Sequence, residues 1–379
     1  MPVDYFKIPS PCFVIDEERL RNNLSLLRYT AEESGAEIIL ALKAFATWGV
    51  FGIIKEYTSG AAASSLNEAR LCYEELGTKA HTYAPAFKEK EFPEILKYSS
   101  HISFNSIEQY LKYFPYIKNS TEKVSSGLRI NPEFSEINIG LYNPCTHGSR
   151  LGVTAEKLSD GLPEGIEGLH FHVLFENDSY VLEKVLNVVE QKFSSFFPYL
   201  KWLNMGGGHL ITRKGYDLAH LVKILKKFRE KWGLEIILEP GSAFAWETGE
   251  LVATVEDIVE NNGIKTAILD VSFVAHMPDC LEMPYKPVIL NAVEPEAGKY
   301  IYRMGGNSCL AGDFMGDWGF DKELKPGDRI IFLDMIHYTM VKTTNFNGVT
   351  HPSIGIWTKQ GEFRLIKDFG YNDYKSRLS

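Results

Sequence analysis

The chain has 379 residues, of which 45% are hydrophobic and 23% are charged, and these proportions are ordinary for one large or two medium folded domains. Its net charge of −9 argues against a nucleic-acid partner and favours a cationic small molecule. The N-terminus lacks a signal-peptide pattern, no stretch is apolar enough to span a membrane, and the five cysteines are scattered without a CxxC pair. We therefore expect a cytoplasmic protein with reduced thiols and no membrane contact.

Short apolar runs alternate with amphipathic stretches over the first two thirds of the chain. Apolar residues recur at three- and four-residue steps in the stretches around 66–76 and 178–193, which predicts helices there. Eight strand–helix alternations predict a parallel α/β domain, and the number eight favours a (β/α)8 TIM-like barrel over an open doubly wound sheet. The predicted strands are 38–42, 59–64, 80–84, 101–104, 126–131, 167–174, 201–205 and 235–239.

The sequence changes character after Gly241. Runs such as LVATVEDIV, KTAILDVSF and PGDRIIFLD are rich in β-branched residues and are separated by Pro, Gly and Asp, and helical periodicity is nearly absent. We predict a barrel domain over 21–246 and a β-rich domain, a β-barrel or sandwich, over 247–379. The N-terminal segment 1–20 contains the strand-like PSPCFVID and is expected to join the second domain.

Chemically useful side chains stand at the predicted carboxyl ends of the barrel strands, where parallel barrels build their active sites. Lys43 ends the first strand, His170 and His172 lie on the sixth, and Glu239 ends the eighth. Each has an ordinary explanation: a snorkelling lysine, a core histidine, or a carboxylate that bonds the next loop. The alternative for Lys43 is a desolvated, nucleophilic amine.

The glycines of MGGG, Gly206, Gly207 and Gly208, follow the seventh strand. Consecutive glycines allow a close approach of the backbone to an anion such as phosphate, although a flexible turn would look the same. The segment matches neither GxxxxGK[ST] nor GxGxxG. A lysine amine, a phosphate loop, a flat aromatic ring and a carboxylate are together what pyridoxal 5′-phosphate requires.

Several motifs resemble those of the fold-type III pyridoxal-phosphate decarboxylases, a family that includes ornithine and diaminopimelate decarboxylases. ALKAF, FHV, MGGG and EPG resemble the segments of the cofactor-linking lysine, stacking histidine, phosphate loop and ring-nitrogen carboxylate. LRINP and SRLGV resemble segments that place Arg129 and Arg150 on the cofactor side. GNSCLAGD and HYTMVKTTNFNG resemble the blocks carrying a cysteine near the substrate α-carbon, Cys309, and a phosphate-closing tyrosine, Tyr338.

Other segments depart from ornithine and diaminopimelate decarboxylases. LFEND follows His172 in place of a small-residue stretch, and Ser242 follows EPG where those enzymes usually carry arginine. The blocks SGAAASSLNEARL and AHMPDCLEMPYKP resemble the family branch that decarboxylates carboxynorspermidine and carboxyspermidine, giving norspermidine and spermidine in polyamine biosynthesis. The resemblance therefore implies a carboxylated polyamine substrate, with other basic amino acids of the diaminopimelate, ornithine or arginine type as the alternative.

The resemblance also implies a homodimer with shared active sites, in which Cys309 serves the Lys43 of the other subunit as proton donor. Acidic or aromatic partners are needed for the substrate amines, although each candidate is equally explained as a solvated loop charge. Those candidates are Asp279, Asp313, His276, Asp270 and Glu247, with Asp317 a further acid nearby.

Three competing interpretations are each disfavoured by the sequence. A metal-dependent barrel hydrolase could use His170 and His172, whose side chains lie on the same face of a strand, together with His209. It is disfavoured because such a pair usually lies on the first strand of a barrel rather than about the sixth, and no carboxylate–histidine set completes the site. A non-catalytic regulatory homologue is disfavoured because the lysine, histidine, carboxylate and cysteine of the motifs are all present. A racemase is disfavoured because racemases of this fold carry a tyrosine where GNSCLAGD presents Cys309.

Overall fold

One strand and one long helix precede the first strand of the barrel sheet. The computed structural model describes residues 2–379. Strand β1 spans Cys12–Asp16 and helix α1 spans Glu17–Ser34. Residues 23–244 form one unit, and the residues up to Asn22 and from Ala245 onward form a second.

Nine parallel strands, paired in chain order, form the barrel sheet of residues 23–244. Strands β2 and β3 are halves of one extended segment; β2 pairs with β10 and β3 pairs with β4, so the sheet closes on itself. Counting that segment once leaves eight strands, and the predicted (β/α)8 barrel is confirmed. The strands are β2 Glu37–Ile38, β3 Leu40–Ala41, β4 Ala61–Ala63, β5 Ala80–Tyr83, β6 Ser99–Phe104, β7 Ser125–Arg129, β8 Ile166–His170, β9 Trp202–Asn204 and β10 Glu235–Leu238.

Helices of very different lengths connect the barrel strands. The two longest have side-chain caps: the carboxylates of Asp178 and Asp217 accept hydrogen bonds from backbone amides in the first turns of α6 and α7. Gly233 ends α7 in a left-handed conformation that glycine adopts without strain. The helices are α2 Phe51–Ile54, α3 Leu66–Leu71, α4 Phe92–Tyr98, α5 Ile107–Lys118, α6 Ser179–Phe193, α7 Leu218–Trp232 and α8 Ser242–Ala245.

Trp202 fills the interior of the barrel. Its side chain is 2% exposed and packs with Ile39, Ala62 and Ile237. Glycines at 127 and 168 on neighbouring strands make room for the indole, because a Cβ at either position would overlap the ring. The two buried glycines thus leave space for the large side chain of Trp202 on the next strand, β9.

We expect Gly168→Ala to lower the free energy of unfolding by about 1–3 kcal/mol, the usual cost of overpacking a core. The added methyl group would overlap the Trp202 ring, which cannot move away within the closed barrel. Urea denaturation measures the change. Gly52→Ala is the matched control: this helical position has open space around it, so alanine should leave stability unchanged or raise it. Equal stability of the two variants would contradict the packing argument.

A pair of histidines in ring contact lies beside this tryptophan. The rings of His81 and His101 are 4.0 Å apart, and His101 meets the Trp202 ring edge-on at 5.4 Å. Burial, with a smaller contribution from His101, lowers the pKa of His81 well below its usual value. The barrel interior therefore holds a neutral imidazole at physiological pH.

This buried histidine predicts acid sensitivity. Because the pKa of His81 is lower in the folded state, the unfolded chain binds a proton first, so stability present above about pH 6.5 falls as the pH decreases. We expect His81→Leu to reduce that slope by up to about 1.4 kcal/mol per pH unit. Urea titrations between pH 7 and pH 5 would show it, with the exposed His147→Leu as control. An unchanged slope in His81→Leu would refute the prediction.

The second unit is built on a mixed sheet that includes the N-terminal strand. β1 pairs antiparallel with β11 and parallel with β16. Cys12, Val14, Val252, Ile331 and Trp357 form a buried cluster in this sheet, and the expected β-rich character is confirmed. The strands are β11 Gly249–Asn261, β12 Ile264–Leu269, β13 Tyr300–Gly305, β14 Phe314–Phe320, β15 Arg329–Leu333, β16 Ser353–Trp357 and β17 Phe363–Lys367.

Short helices interrupt this sheet and were not predicted from the sequence, since four to eight residues cannot display a repeated apolar stripe. They are α9 Phe273–His276, α10 Pro278–Glu282, α11 Tyr338–Val341 and α12 Tyr371–Leu378. Within residues 2–379, none of the helices has both the length and the apolar character that crossing a bilayer requires.

Candidate active site

The carboxyl end of the barrel gathers the side chains that the sequence placed there. Lys43 follows β3, Arg129 ends β7, and Glu239 follows β10. One placement was wrong: β8 ends at His170, so His172 lies in the segment after the strand rather than on it. The amide of Phe171 still donates to the carbonyl oxygen of Asn204 at 2.9 Å, so this segment keeps a hydrogen bond to the end of β9.

Lys43 points its amine at the imidazole of His172. The Nζ–Nε2 distance is 3.4 Å. Although the side chain retains accessible surface, desolvation by the surrounding protein lowers the pKa of the amine, and Arg129 adds to the effect while Glu239 opposes it. A lowered pKa increases the fraction of neutral amine, which is the nucleophilic form.

His172 is held in a single neutral tautomer. Its Nδ1 accepts a hydrogen bond from the Gly207 amide at 2.7 Å, and because an amide can only donate, Nδ1 carries no proton. The proton of the neutral ring therefore sits on Nε2, facing Lys43. Burial and the cations Lys43 and Arg129 lower the pKa of His172 well below its usual value, so the ring stays uncharged.

The three glycines pack directly against backbone. Added Cβ atoms at Gly206, Gly207 and Gly208 would overlap carbonyl oxygens of Phe171, Glu239 and Leu174. Gly206 and Gly208 also have φ angles of +67° and +86°, which favour glycine. Close packing therefore requires glycine here, and a merely flexible turn does not explain the segment.

Two of the glycine backbone amides already donate hydrogen bonds to side chains of the protein. The Gly206 amide donates to Oδ1 of Asn204 at 2.8 Å, and the Gly207 amide donates to His172. Two of the three glycine amides therefore orient neighbouring side chains. An anion bound here would be met by the Gly208 amide and the residues after it.

Glu239 is a partly buried carboxylate with a hydrogen-bond donor on one oxygen and a neutral imidazole near the other. Asn204 Nδ2 donates to its Oε1 at 2.6 Å, and Nε2 of His170 lies 3.8 Å from its Oε2. Burial raises the pKa of Glu239, whereas the Asn204 hydrogen bond and the charge of Lys43 act in the opposite direction. A cationic ring nitrogen would find a directed acceptor here.

Arg129 makes two contacts at the same carboxyl end of the barrel. Its Nη2 donates to the carbonyl oxygen of His172 at 3.2 Å, and its guanidinium lies over the Tyr83 ring at 4.6 Å. The Tyr83 hydroxyl in turn donates to Oδ1 of Asn105 at 2.9 Å. Arg129 thus adds positive charge near Lys43 and holds the segment carrying His172. Arg150 is exposed, and its carbonyl oxygen accepts from the Asn105 amide group.

Sequence reasoning missed Asn204 and Tyr83. Both stand at the carboxyl ends of strands, β9 and β5, and a polar side chain ending an apolar strand was the available signal. Neither belongs to a motif whose residue type alone indicates chemistry, so their roles became visible only through their contacts.

In the second unit, Cys309 lies exposed on a loop shaped by hydrogen bonds. Its backbone amide donates to Oδ1 of Asn347 at 2.9 Å. The carboxylate of Asp313 accepts from the amides of Phe273 at 2.7 Å and Ser308 at 3.1 Å. Asp313 is only 4% exposed, and these bonds give it a structural role in joining the Cys309 loop to helix α9.

Asp279 and His276 each keep one polar atom unpaired. The Oδ2 atom of Asp279 accepts from the hydroxyls of Tyr285 and Thr339, both at 2.8 Å, and Nδ1 of His276 accepts from the Ser272 amide at 3.1 Å. Their other atoms, Oδ1 and Nε2, are buried without a hydrogen-bond partner among residues 2–379. Burial lowers the pKa of His276 to about 4, so it is a neutral side chain.

The remaining predicted residues have contacts of other kinds. Asp270 accepts from the Ser10 hydroxyl at 2.6 Å and from the Thr254 amide at 2.8 Å, which ties the N-terminal segment to the sheet. Glu247 is exposed with a φ of 53°, and its backbone amide donates to Asp334 at 2.7 Å. Tyr338 is the first residue of α11. Asp317 pairs with Arg303 at 2.9 Å.

The metal-site interpretation of His170, His172 and His209 finds no support in the geometry. Across residues 2–379, no three histidine, cysteine, aspartate or glutamate side chains are grouped so that they could hold a metal ion. His172 instead uses Nδ1 for the Gly207 amide, as described above.

Comparison with known protein families bears on this arrangement. A family model described as "Pyridoxal-dependent decarboxylase, C-terminal sheet domain" matches residues 12–336. The chain belongs to the pyridoxal-dependent decarboxylases. This membership covers both the barrel strands and most of the mixed sheet, and it agrees with the family that the motifs indicate.

This decarboxylase is similar over nearly its whole length to named enzymes of polyamine metabolism. It is 50% identical to a carboxyaminopropylagmatine decarboxylase from Synechocystis sp., covering 98% of this chain and 96% of the relative. It is 45% identical to a carboxynorspermidine/carboxyspermidine decarboxylase from Campylobacter jejuni, covering 98% of this chain and 99% of the relative. The crystal structure of carboxynorspermidine decarboxylase from Campylobacter jejuni, complexed with norspermidine, superimposes with a TM-score of 0.91. The two chains are 44% identical, and the match covers 98% of this chain and 100% of the other.

Proposed function

We propose that this protein decarboxylates carboxynorspermidine and carboxyspermidine, giving norspermidine and spermidine, with pyridoxal 5′-phosphate as coenzyme. The observation that carries the proposal is the full-length similarity to the Campylobacter jejuni enzymes, at 45% identity in sequence and a TM-score of 0.91 in structure. The five unpaired cysteines support a cytoplasmic location.

The barrel residues fit the coenzyme. Lys43 would bond its aldehyde carbon, His172 would lie against its ring, and Glu239 would meet its ring nitrogen. The glycine loop, through Gly208, would receive the phosphate, and the family resemblance adds Tyr338 to that end. Once bound, the coenzyme supplies an electron sink for the charge left when the substrate carboxylate departs.

The protein's own groups then decide the outcome. Glu239 supplies a negative partner that keeps a ring nitrogen protonated. The neutral His172 ring offers a flat apolar face, and the cationic Arg129 lies nearby. A thiol at the substrate α-carbon delivers the proton that completes decarboxylation, and the resemblance of GNSCLAGD assigns this task to Cys309.

Replacing Cys309 with alanine is expected to slow turnover by roughly 10²–10⁴-fold, the range for loss of a general acid. The coenzyme absorbance should remain, because Lys43 is untouched. Carbon dioxide release measures the rate. Cys72→Ala is the control: Cys72 is also a free thiol, but it bonds the Thr78 carbonyl oxygen ahead of β5, at the amino end of the barrel and away from the site. Unaltered turnover in Cys309→Ala would remove this thiol from the mechanism.

We further propose a homodimer in which each site uses Cys309 from the partner subunit, on the strength of the family resemblance. Mixing Lys43→Ala with Cys309→Ala subunits under exchange conditions should then restore part of the lost activity, since one site of the mixed dimer is intact. Zero recovery despite demonstrated subunit exchange would count against shared sites.

The distal end of a polyamine substrate needs acceptors for its cationic amines. The unpaired Oδ1 of Asp279 is the best-supported acceptor among residues 2–379. His276 lies on the neighbouring helix, but because its Nδ1 accepts from the Ser272 amide, its neutral ring carries the proton on Nε2 and offers a donor rather than an acceptor. An amine bound there would supply the hydrogen bond that a buried carboxylate oxygen otherwise lacks.

A second substrate is favoured by one observation. The Synechocystis sp. relative, at 50% identity, is named carboxyaminopropylagmatine decarboxylase, which indicates a substrate derived from agmatine. A panel of carboxynorspermidine, carboxyspermidine, carboxyaminopropylagmatine and diaminopimelate, compared by kcat/KM for carbon dioxide release, decides between them. Release from diaminopimelate alone would overturn the polyamine proposal.

A further inference from the structure

Asn204 links the two parts of the barrel site that would hold opposite ends of the coenzyme. It is the last residue of β9 and only 3% exposed. Its Oδ1 accepts from the Gly206 amide at 2.8 Å, and its Nδ2 donates to Oε1 of Glu239 at 2.6 Å. The Glu239 amide also donates to the Gly206 carbonyl oxygen at 2.7 Å, which locks the same two segments together.

The orientation of the Asn204 amide follows from its partners. A backbone amide can only donate, so the atom facing Gly206 must be the oxygen, and the NH₂ group must face Glu239. A donor pointed at a carboxylate favours its ionised form. The contact therefore acts on the charge of Glu239 as well as on its position.

The other groups facing Glu239 act on its charge in different ways. Burial favours the protonated acid, while Lys43 and Arg129 favour the anion. His170 lies 3.8 Å from Oε2, but burial lowers its pKa well below the usual value, so it contributes no charge. Asn204 is the group that donates a short hydrogen bond to Glu239.

We propose that Asn204 is a positioning residue that keeps Glu239 ionised and aimed at the coenzyme ring nitrogen, while fixing the start of the glycine loop. This inference rests on the proposed function for the identity of the ring. Asn204 touches neither ring nor substrate in this proposal; it acts through Glu239.

The test is Asn204→Asp, which keeps the size and the oxygen facing Gly206 but replaces the donor with an acceptor. Two carboxylates so close must share a proton at neutral pH. We expect an infrared carbonyl band of a protonated carboxyl group in the coenzyme-free protein, absent from wild type. Pyridoxal phosphate, titrated by absorbance, should bind roughly tenfold to hundredfold more weakly, the expected effect of losing a hydrogen bond to a charged group.

A double variant separates this role from general damage. Asn204→Asp combined with Glu239→Gln inverts the pair, with the amide donor now at position 239. If Asn204 acts through Glu239, adding Asn204→Asp to Glu239→Gln should change pyridoxal phosphate affinity by less than about twofold. Two outcomes would overturn the proposal. In the first, Asn204→Asp weakens pyridoxal phosphate binding equally in the wild-type and Glu239→Gln backgrounds. In the second, Asn204→Asp alone shows no new infrared band and unchanged pyridoxal phosphate affinity.

Folding and function failures remain distinguishable. If the single variant does not fold, the double variant decides: a folded protein with the affinity of Glu239→Gln supports the proposal, and an unfolded one contradicts it. If the wild-type protein binds no pyridoxal phosphate, the proposed function fails. The infrared comparison in coenzyme-free protein still tests the action of Asn204 on Glu239.

Discussion

Lys43→Ala is expected to bind pyridoxal phosphate without the visible absorbance of a lysine-linked coenzyme, and to lose activity by at least about 10³-fold. The amine lies 3.4 Å from the His172 ring, and desolvation lowers its pKa toward the nucleophilic form. Within residues 2–379, neither the motifs nor the contacts described at the carboxyl end of the barrel assign this role to another lysine. Absorbance spectra on coenzyme titration and carbon dioxide release measure the two effects.

Two further variants sharpen this test. Lys43→Arg keeps a positive charge but cannot form the covalent link, so it should behave like the alanine variant if nucleophilicity matters. Lys55→Ala removes an exposed lysine that follows helix α2 and should leave both readouts unchanged. A normal absorbance band in Lys43→Ala would rule out this lysine as the residue that links the coenzyme.

Gly208→Ala is expected to destabilise the protein by about 2–5 kcal/mol and to weaken coenzyme binding at the phosphate end. The backbone there has a φ of +86°, which costs a non-glycine residue about 1–2 kcal/mol. The new methyl group would also overlap the Leu174 carbonyl oxygen, and overpacking adds about 1–3 kcal/mol. Urea denaturation and coenzyme titration measure the two losses.

Gly215 separates the two causes. Its φ of +84° is almost the same, yet an added Cβ would meet nothing within 4 Å. Gly215→Ala should therefore show only the conformational cost and normal coenzyme affinity. If both variants lose the same stability, close packing of the glycine loop is not what the protein requires at position 208.

The local pattern of apolar and polar residues was sufficient to predict the barrel. Alternating apolar runs and amphipathic stretches predicted eight strands, and the segment 37–41 completes the barrel by bonding to strands on both sides. Lys43, His172 and Glu239 follow strands whose ends must meet in a parallel barrel, so their grouping was predictable once the period was recognised. The combination of a lysine, a glycine loop, a histidine and a carboxylate indicated the coenzyme, and the resemblance of short motifs indicated the substrate class.

Only the tertiary structure decided how the barrel site is held together. Asn204 and Tyr83 are ordinary residues in the sequence, and they acquire roles because folding brings them to Glu239 and Arg129 from other strands. The same holds for the amides of Gly206 and Gly207, which serve Asn204 and His172 and not a ligand. Residue type and spacing determine which groups reach the barrel mouth. Which hydrogen bonds those groups make depends on distances between segments far apart in the chain, and no local pattern encodes these.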